Sequence, residues 1–551
     1  MNFLLVFPKY VEKGKMYDFY FGLSIISSCM KKKGYNVFCL NPNHYEESIE
    51  KQLLDSIIKN NIDVLCTGGM SVHYKEINVV LEIAKNIKPN IITIVGGAIV
   101  TSNPKVTCWG IKNIDFGVIG EGEETIVELA DVIINNKDKS SIKGIAYFKD
   151  NEYILTQDRI PIKDLDKVPI PDYEGFEYEE YMKLFSPSEN HFFSILDDVR
   201  PGYIMASRSC PFNCTFCYHH PLSKYRQRSL DNVFFEIEYL INKYNINYLS
   251  ISDELFSFDK ERMYEFAKRI KKYKLKWWTN FRVSDVDKNI LETLRDSGLF
   301  MMSYGIESMS NKILKSMKKH ITKFQIGNAL KLTYEAKINI QGNIILGDLE
   351  ETEETIKESV DFIESYPEYG VNLVMIRTYP FSQIYKYAVS NRLIKDEFKH
   401  MVNGFPLINL TKMSDKKYQE ISIYVENFTD ENKHINYGNI VDSKIISSFP
   451  ENIYTLKIKC SKCDQISEYR NMTQKSFRTY FKVICRNCYI HLTVENLKAY
   501  RKNYTTVSII TSILVKYFRQ QINTNFVAKY IYSMLRDLKH KKLINISNKY
   551  V

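Results

Sequence analysis

Two blocks of the chain alternate short apolar runs with amphipathic stretches of helical length, and this alternation constrains the fold more than any other feature. In the first block the runs are Phe3 to Phe7, Asn36 to Leu40, Asp63 to Cys66, Ile91 to Val95 and Phe116 to Ile119. Strands that alternate with helices form parallel sheets covered by helices. We therefore predict a doubly wound, Rossmann-like α/β domain over residues 1–138.

Glycines directly follow several of these predicted strands. The residues at these turns are Gly68, Gly69, Gly96, Gly97, Gly120, Glu121 and Gly122. Ligands of doubly wound sheets bind outside the carboxyl ends of the strands, where glycine lets the backbone approach a bulky group. Three such turns at one edge predict a ligand crevice, although tight βα turns alone would use the same residues.

The second block lies at 199–400, after a predicted hairpin and proline-rich linker at 139–198. Its apolar runs are Tyr203 to Ala206, Tyr248 to Ile251, Lys276 to Thr279, Met301 to Tyr304, Ile340 to Ile345 and Leu373 to Arg377. Six βα units predict a partial βα barrel, whose chemistry lies at the carboxyl ends of its strands. The segment 401–455 stays unassigned.

Composition and charge exclude several classes of protein. With 44% apolar and 25% charged residues the chain is neither disordered nor a coiled coil. No apolar run approaches the roughly 20 residues of a membrane-spanning helix, and the N-terminal MNFLLVFPKY has no basic start, so we predict a buried strand and not a signal peptide. We expect a cytoplasmic protein.

Three cysteines, Cys210, Cys214 and Cys217, follow the first predicted barrel strand. In a cytosolic chain, clustered cysteines indicate metal ligands before disulfides. Three thiolates can hold a 4Fe-4S cluster and leave one iron open for substrate chemistry. A zinc site remains an alternative because His219 and His220 lie close by.

The CxxxCxxC loop after a strand resembles the radical S-adenosylmethionine (radical SAM) superfamily over about residues 200–394. Later segments occur in the order of that family, namely SISDELFSFD, WWTNFRVSDVD, YGIES and GNIILGDLEETEET. The resemblance implies that SAM is bound by Phe216, Asp253, Glu254, Arg282, Glu307 and Gly347. It also implies cleavage of SAM to a 5′-deoxyadenosyl radical, with electrons from a donor such as flavodoxin or ferredoxin.

The resemblance assigns a part of SAM to most of these residues. Asp253 and Glu254 would meet the methionine amino group, Arg282 the carboxylate and Glu307 the ribose. Gly347 opens the adenine-side motif, which here reads Gly-Asp-Leu-Glu-Glu-Thr where the family usually has Gly-Leu-Pro-Gly-Glu-Thr.

A doubly wound domain before such a barrel resembles the cobalamin-binding subclass of the superfamily. The segments YFGLSIISSCMKKKGYNVFCLN, VGGAIVTSNP and DFGVIGEGEET carry this resemblance. It implies that cobalamin is bound by Gly68, Gly69, Gly96, Gly97, Gly120 and Glu121. The DxHxxG motif of some members is absent, since the place reads Asp18-Phe19-Tyr20-Phe21-Gly22. A domain that keeps the fold without the cofactor is the alternative.

A second cysteine group, Cys460, Cys463, Cys485 and Cys488, forms two CxxC pairs. Such pairs about 20 residues apart predict a four-thiolate zinc ribbon, here over 456–495, with a second iron–sulfur cluster as the alternative. A basic helical tail is predicted at 496–551. Residues 451–551 contain 19 Lys and Arg but 5 Asp and Glu. This excess of positive charge indicates either a polyanion-binding module or a solvated basic face.

The favoured function is a cobalamin-dependent methyltransferase that acts on an unactivated carbon of a small-molecule, lipid or polysaccharide precursor, free or carrier-bound. One alternative is a radical cyclase or rearrangement enzyme, which resembles the methyltransferases in sequence. Another is an RNA-modifying enzyme whose ribbon and tail dock the nucleic acid, which is not favoured. A non-catalytic metal-binding protein is disfavoured by the ordered barrel motifs.

Overall fold

The computed structural model describes residues 1–188, 190–218, 220, 222–431, 437–447, 452–473 and 480–495. Contacts divide the chain into two compact units, Met1–Phe185 with Arg200–Asp430, and Ser186–Val199 with Glu431–Val551. The first unit holds both predicted βα domains. The predicted tail at 496–551 and His219 lie outside the described residues.

Seven strands form the first sheet: β1 (Asn2–Val6), β2 (Asn36–Leu40), β3 (Val64–Gly68), β4 (Ile92–Gly96), β5 (Phe116–Val118), β6 (Ile145–Lys149) and β7 (Glu152–Leu155). Their order is β2-β1-β3-β4-β5-β6-β7. The first five strands run parallel, and the hairpin of β6 and β7 adds an antiparallel edge. This is the predicted doubly wound arrangement, and the predicted hairpin belongs to the same sheet.

Six helices connect these strands: α1 (Phe21–Lys32), α2 (Ile49–Lys59), α3 (Tyr74–Ile87), α4 (Ala98–Ser102), α5 (Pro104–Gly110) and α6 (Gly122–Ile134). Helix α3 shows why they cover the sheet. Its fully buried Ile77, Val80, Leu81 and Ala84 recur at the spacing of one helix face. They share a core cluster with the strand residues Leu4, Val6, Leu65 and Val95.

Six parallel strands form the second sheet: β8 (Pro201–Ile204), β11 (Tyr248–Ile251), β12 (Lys276–Phe281), β13 (Leu299–Glu307), β14 (Asn339–Leu346) and β15 (Asn372–Met375). A short antiparallel pair, β9 (Ser207–Arg208) and β10 (Arg226–Gln227), brackets the three-cysteine loop. The six strands confirm the predicted partial barrel.

The remaining helices of this unit are α7 (Tyr178–Met182), α8 (Leu230–Tyr244), α9 (Lys260–Ile270), α10 (Lys288–Asp296), α11 (Asn311–Ser316), α12 (Lys323–Glu335), α13 (Glu353–Ser365), α14 (Gln383–Ser390), α15 (Glu397–Val402) and α16 (Asp415–Glu431). Trp277 on β12 is fully buried between strands and helices. Among the described helices, none has the length and apolar composition to cross a bilayer.

The proline-rich linker holds the two βα domains in one unit. Asp172 accepts hydrogen bonds from Ser27 (2.5 Å) and Lys31 (2.6 Å) on α1. The next residue, Tyr173, donates to the Glu236 carboxylate on α8 at 2.6 Å. Because adjacent linker residues bind helices of different domains, the linker fixes their relative position.

The second unit contains an antiparallel sheet of β16 (Gly438–Ser447), β17 (Ile453–Cys460) and β18 (Ile466–Thr473), and a hairpin of β19 (Tyr480–Ile484) and β20 (His491–Glu495). Each CxxC pair lies where the two strands of a hairpin connect, as the ribbon prediction requires.

Helix α2 provides a matched test of the first core, since Leu53 is 0% exposed and its neighbour Leu54 is 45% exposed. We expect Leu53→Ala to lower the free energy of unfolding by about 2–5 kcal/mol, because the lost contacts leave a cavity. Leu54→Ala should change it by less than about 1 kcal/mol. Urea denaturation followed by circular dichroism measures both, and equal losses would contradict this packing of α2.

Candidate active site and metal centres

A first cavity of about 270 Å³ lies at the carboxyl edge of the seven-stranded sheet. All six residues predicted to bind cobalamin line it, namely Gly68, Gly69, Gly96, Gly97, Gly120 and Glu121. Much of the remaining wall is apolar and comes from α1 and α6, including Ile25, Ile26 and Ile126. The predicted crevice is therefore present, and a bulky, largely uncharged group fits its chemistry.

Two of these glycines are required by close backbone contacts. A Cβ atom on Gly68 would lie 2.3 Å from the Gly96 carbonyl oxygen, and one on Gly97 would lie 2.8 Å from the Gly69 oxygen. Gly97 also has φ +85°, which side-chain-bearing residues rarely adopt. The turns therefore form a smooth backbone wall, the kind of cradle that the cobalamin assignment needs.

Tyr20 lies where the DxHxxG motif would place its histidine, and it lines the first cavity. Its hydroxyl group is 2.6 Å from Nδ1 of His73, a residue that the sequence analysis missed. Burial lowers the pKa of His73 below its usual value. An imidazole thus lies behind the cavity wall, although the motif itself is absent.

The carboxylate of Glu121 is already engaged in ion pairs. Arg226 donates to it at 2.7 and 3.0 Å, Arg208 lies 3.4 Å away, and the backbone N–H of Ile162 donates at 2.8 Å. Burial raises the pKa of Glu121, but these donors outweigh that effect and lower it. The residue therefore ties the first cavity to the β9–β10 pair.

A second cavity, of about 780 Å³, lies at the carboxyl ends of the barrel strands and contains Cys210, Cys214 and Cys217. Among the described residues, these three thiols do not form a group whose ligand atoms all lie within 4.8 Å of one another. One zinc ion needs such closeness, whereas a four-iron cluster binds each thiolate to a different iron. The spacing favours the cluster.

Three of the six predicted SAM-binding residues line this second cavity: Glu254, Arg282 and Glu307. Burial, followed by the charge of Asp253, raises the pKa of Glu254. The Arg282 guanidinium lies 3.6 Å above the ring of Phe212. Within the described part of the chain its buried Nε has no hydrogen-bond partner.

Asp253 is not in the wall of the second cavity. It is 2% exposed, and it accepts hydrogen bonds from the N–H groups of Ala206 (2.6 Å) and Ser207 (3.0 Å) and from the Ser207 hydroxyl (2.6 Å). Burial raises its pKa to about 6. The structure places this carboxylate beneath β9, where it holds the start of the cysteine loop.

Phe216 and Gly347 also lie outside the cavity wall. Phe216 packs against the apolar cluster that includes Ile313 and Ile376. Gly347 has φ +106°, and its N–H donates to Glu351 at 3.3 Å. Their contacts with SAM remain predictions, as does that of Asp253.

Lys319 is a cavity residue that the sequence analysis missed. It belongs to the run Met317-Lys318-Lys319-His320. The hydrophobic pattern of this run does not show which of the two lysines is buried. Its Nζ is 2.7 Å from Oε1 of Glu307.

The two cavities share two turns. Gly69 and Gly97 line the first cavity, and the next residues, Met70 and Ala98, line the second. A group held by the glycine turns therefore lies beside the space that contains the three cysteines.

The second unit contains a candidate metal site. The sulfur atoms of Cys460, Cys463, Cys485 and Cys488 all lie within 4.8 Å of one another, and two of the pairs are 3.8 and 3.7 Å apart. Zn–S bonds of about 2.3 Å in a tetrahedron give sulfur separations of about 3.8 Å. The four thiols fit one zinc ion better than an iron–sulfur cluster.

Two family models match the chain. The radical SAM superfamily matches residues 204–363, and the B12 binding domain matches residues 16–130. The radical SAM range contains most of the residues that line the second cavity, and the B12-binding range contains most of those that line the first cavity.

Two curated relatives are similar to more than half of the chain. An uncharacterized methyltransferase from Pyrococcus horikoshii is 30% identical over 320 residues, 57% of this chain and 67% of that protein. An anaerobic magnesium-protoporphyrin IX monomethyl ester cyclase from Rubrivivax gelatinosus is 27% identical over 374 residues, 66% of this chain and 65% of that protein. The chain thus spans about two thirds of the length of these relatives.

A solved structure shares the fold. The radical S-adenosylmethionine methyltransferase TsrM from Kitasatospora setae, with cobalamin and a 4Fe-4S cluster bound, superposes with a TM-score of 0.59 at 16% identity, over 71% of this chain and 78% of that chain. Together with the two cavities, these matches establish that the chain belongs to the radical SAM superfamily, among its members with a cobalamin-binding domain, and that its cofactors are a 4Fe-4S cluster, SAM and cobalamin.

Proposed function

We propose that the chain is a methyltransferase that methylates an unactivated carbon of a small-molecule, lipid or polysaccharide precursor. The observation that carries this proposal is the sharing of two turns by the two cavities, at Gly69-Met70 and Gly97-Ala98. One substrate carbon can then reach both a methyl carrier held by the glycines and a radical source beside the cysteines.

When bound, the reduced cluster supplies the electron that cleaves SAM, and cobalamin supplies the methyl carrier. In this proposal Glu254 accepts the amino group of SAM and Arg282 binds its carboxylate. Both groups line the second cavity, and Phe212 keeps the guanidinium in one orientation.

The rest of the second cavity supports a small, weakly charged substrate. Apart from Glu254, Arg282, Glu307 and Lys319, its wall offers apolar and uncharged polar groups, including Leu255, Val374, Tyr379, Asn280 and Asn343. Its volume of about 780 Å³ must hold SAM as well as the substrate, while a single ligand pocket typically measures about 300–1,000 Å³.

A radical cyclase is the second candidate, because the Rubrivivax gelatinosus cyclase is similar over 66% of this chain. An RNA-modifying role would depend on the basic segment at 496–551, which lies outside the described residues. We further propose a flavodoxin- or ferredoxin-type electron donor and a cytoplasmic location, in keeping with a cluster that needs low-potential electrons.

The first experiment measures metals and cobalamin in protein purified anaerobically from cells supplied with cobalamin. We expect about one cobalamin, four irons and one zinc per chain. Incubation with SAM, a reductant and candidate methyl acceptors then tests the reaction. A cyclised or rearranged product without a new methyl group would favour the second candidate.

Replacement of a cluster ligand should abolish SAM cleavage. Cys214→Ala removes one of three thiolates, so we expect loss of iron and of 5′-deoxyadenosine formation, measured by chromatography. Cys29→Ala, on α1 outside both cavities, is the control and should retain both. Normal 5′-deoxyadenosine formation by Cys214→Ala would refute the cluster assignment.

Filling the first cavity should remove cobalamin without affecting iron. Gly22 lines that cavity on α1, and a Cβ atom there would meet nothing within 4 Å, so the side chain of Gly22→Leu can begin without a backbone clash and adds bulk to the cavity. We expect at least about a tenfold loss of cobalamin affinity, measured by spectroscopic titration.

Gly327→Leu is the matched control for this substitution. Gly327 lies on α12, away from both cavities, and its Cβ position is equally open. It should bind cobalamin normally. Unchanged cobalamin affinity in Gly22→Leu would place the cofactor elsewhere.

A further inference from the structure

Lys319 is a buried cation beside the cluster cysteines. Its side chain is 14% exposed, and its Nζ lies 2.7 Å from Glu307, which is itself 9% exposed. Burial lowers the pKa of Lys319, but the charge of Glu307, its hydrogen bond to the lysine and the charges of Cys214 and Cys217 together outweigh this and raise it, so the ion pair persists. A buried pair of this kind is strongly coupled, since either partner alone would be left as an uncompensated charge.

The backbone conformation of Glu307 makes the position of its carboxylate depend on this partner. It ends β13 with φ +64°, a left-handed conformation that is costly for a residue with a side chain. A Cβ atom on Gly305 would lie 2.4 Å from Nζ of Lys319 and 2.6 Å from Oε1 of Glu307. The ion pair thus packs directly over a glycine of the same strand, which fixes where the carboxylate points.

The same lysine also fixes Arg282 through its backbone. Nη2 of Arg282 donates to the carbonyl oxygen of Lys319, and to that of His320 at 3.0 Å. Lys319 therefore contacts two cavity residues, Glu307 at the end of β13 with its side chain and Arg282 directly after β12 with its main chain.

The positive charge of Lys319 also acts on the cluster thiols. Lys319 lines the same cavity as Cys210, Cys214 and Cys217. In a cavity of low dielectric constant a fixed charge acts more strongly than at the surface. A cation in this cavity stabilises added negative charge on a cluster held by the three cysteines.

We propose that Lys319 is a positioning residue that orients Glu307 and Arg282 for SAM and raises the reduction potential of the 4Fe-4S cluster. This rests on the radical SAM assignment and not on methyl transfer. It can therefore be tested without a methyl acceptor.

The test uses cluster-containing Lys319→Met, Lys319→Arg and Glu307→Gln proteins, with Lys318→Met as the matched control. Lys318 is exposed, and its Nζ bonds to Gln383 on α14 at 2.7 Å. The readouts are SAM affinity by equilibrium dialysis, and the midpoint potential of the cluster by a redox titration followed with electron paramagnetic resonance.

For Lys319→Met we expect about a ten- to hundredfold weaker SAM affinity, the loss typical of a charge-assisted contact, and a lower midpoint potential. Lys319→Arg keeps the positive charge, so the midpoint potential of its cluster should stay close to that of the unmodified protein. Glu307→Gln removes a negative charge, so its potential should rise. Lys318→Met should match the unmodified protein in both measurements.

A charge effect shifts the midpoint potential in opposite directions in Lys319→Met and Glu307→Gln. Simple disruption of the segment around Lys319 would shift the potential of both variants in the same direction. Shifts of the same sign in Lys319→Met and Glu307→Gln, or an unchanged SAM affinity in Lys319→Met, would overturn the proposal. If Lys319→Met does not retain its iron, the other two variants still test the proposal. The proposal requires that Lys319→Arg preserves the midpoint potential of the cluster and that Glu307→Gln raises it.

Discussion

Close backbone contact between two glycine turns is the constraint on which the rest of the site depends. The turns after β3 and β4 approach so closely that a Cβ atom on Gly68 or Gly97 would overlap a neighbouring carbonyl oxygen. Since no side chain fills this edge, the first cavity can admit a bulky cofactor. Met70 and Ala98, which follow Gly69 and Gly97 in these turns, line the second cavity, so the same contact brings the two cofactor spaces together.

Charge pairing is the second organising element. The acids and bases at the first cavity, Glu121 with Arg226 and Glu123 with Arg208, bind one another across the two βα domains. In the second cavity Glu307 pairs with Lys319, while the charged Arg282 has no carboxylate partner among the described ion pairs. Buried charges are costly unless they are paired, which is why a charged residue in a cavity wall is a candidate ligand site.

Much of the fold follows from local pattern. The βα alternation predicted both sheets, and each predicted strand corresponds to an observed one within a few residues, because burial on both faces of a parallel strand leaves a continuous apolar run. The cysteine spacings likewise pointed to both candidate metal centres, since ligands on one loop or hairpin are close in sequence. His73 was missed because its partner Tyr20 lies 53 residues earlier, and Lys319 because nothing in its run of basic residues marks it as the partner of Glu307.

The sequence by itself determined the doubly wound domain and the partial barrel, and it predicted the three cysteines as cluster ligands and the other four as zinc ligands. Only the tertiary structure decided which polar residues serve the cavities. It placed Asp253 beneath β9, engaged Glu121 in an interdomain ion pair and brought Lys319 beside Glu307. The physical reason is that motifs are set by contacts within one segment, whereas the direction and charge state of a side chain depend on partners that only folding brings near.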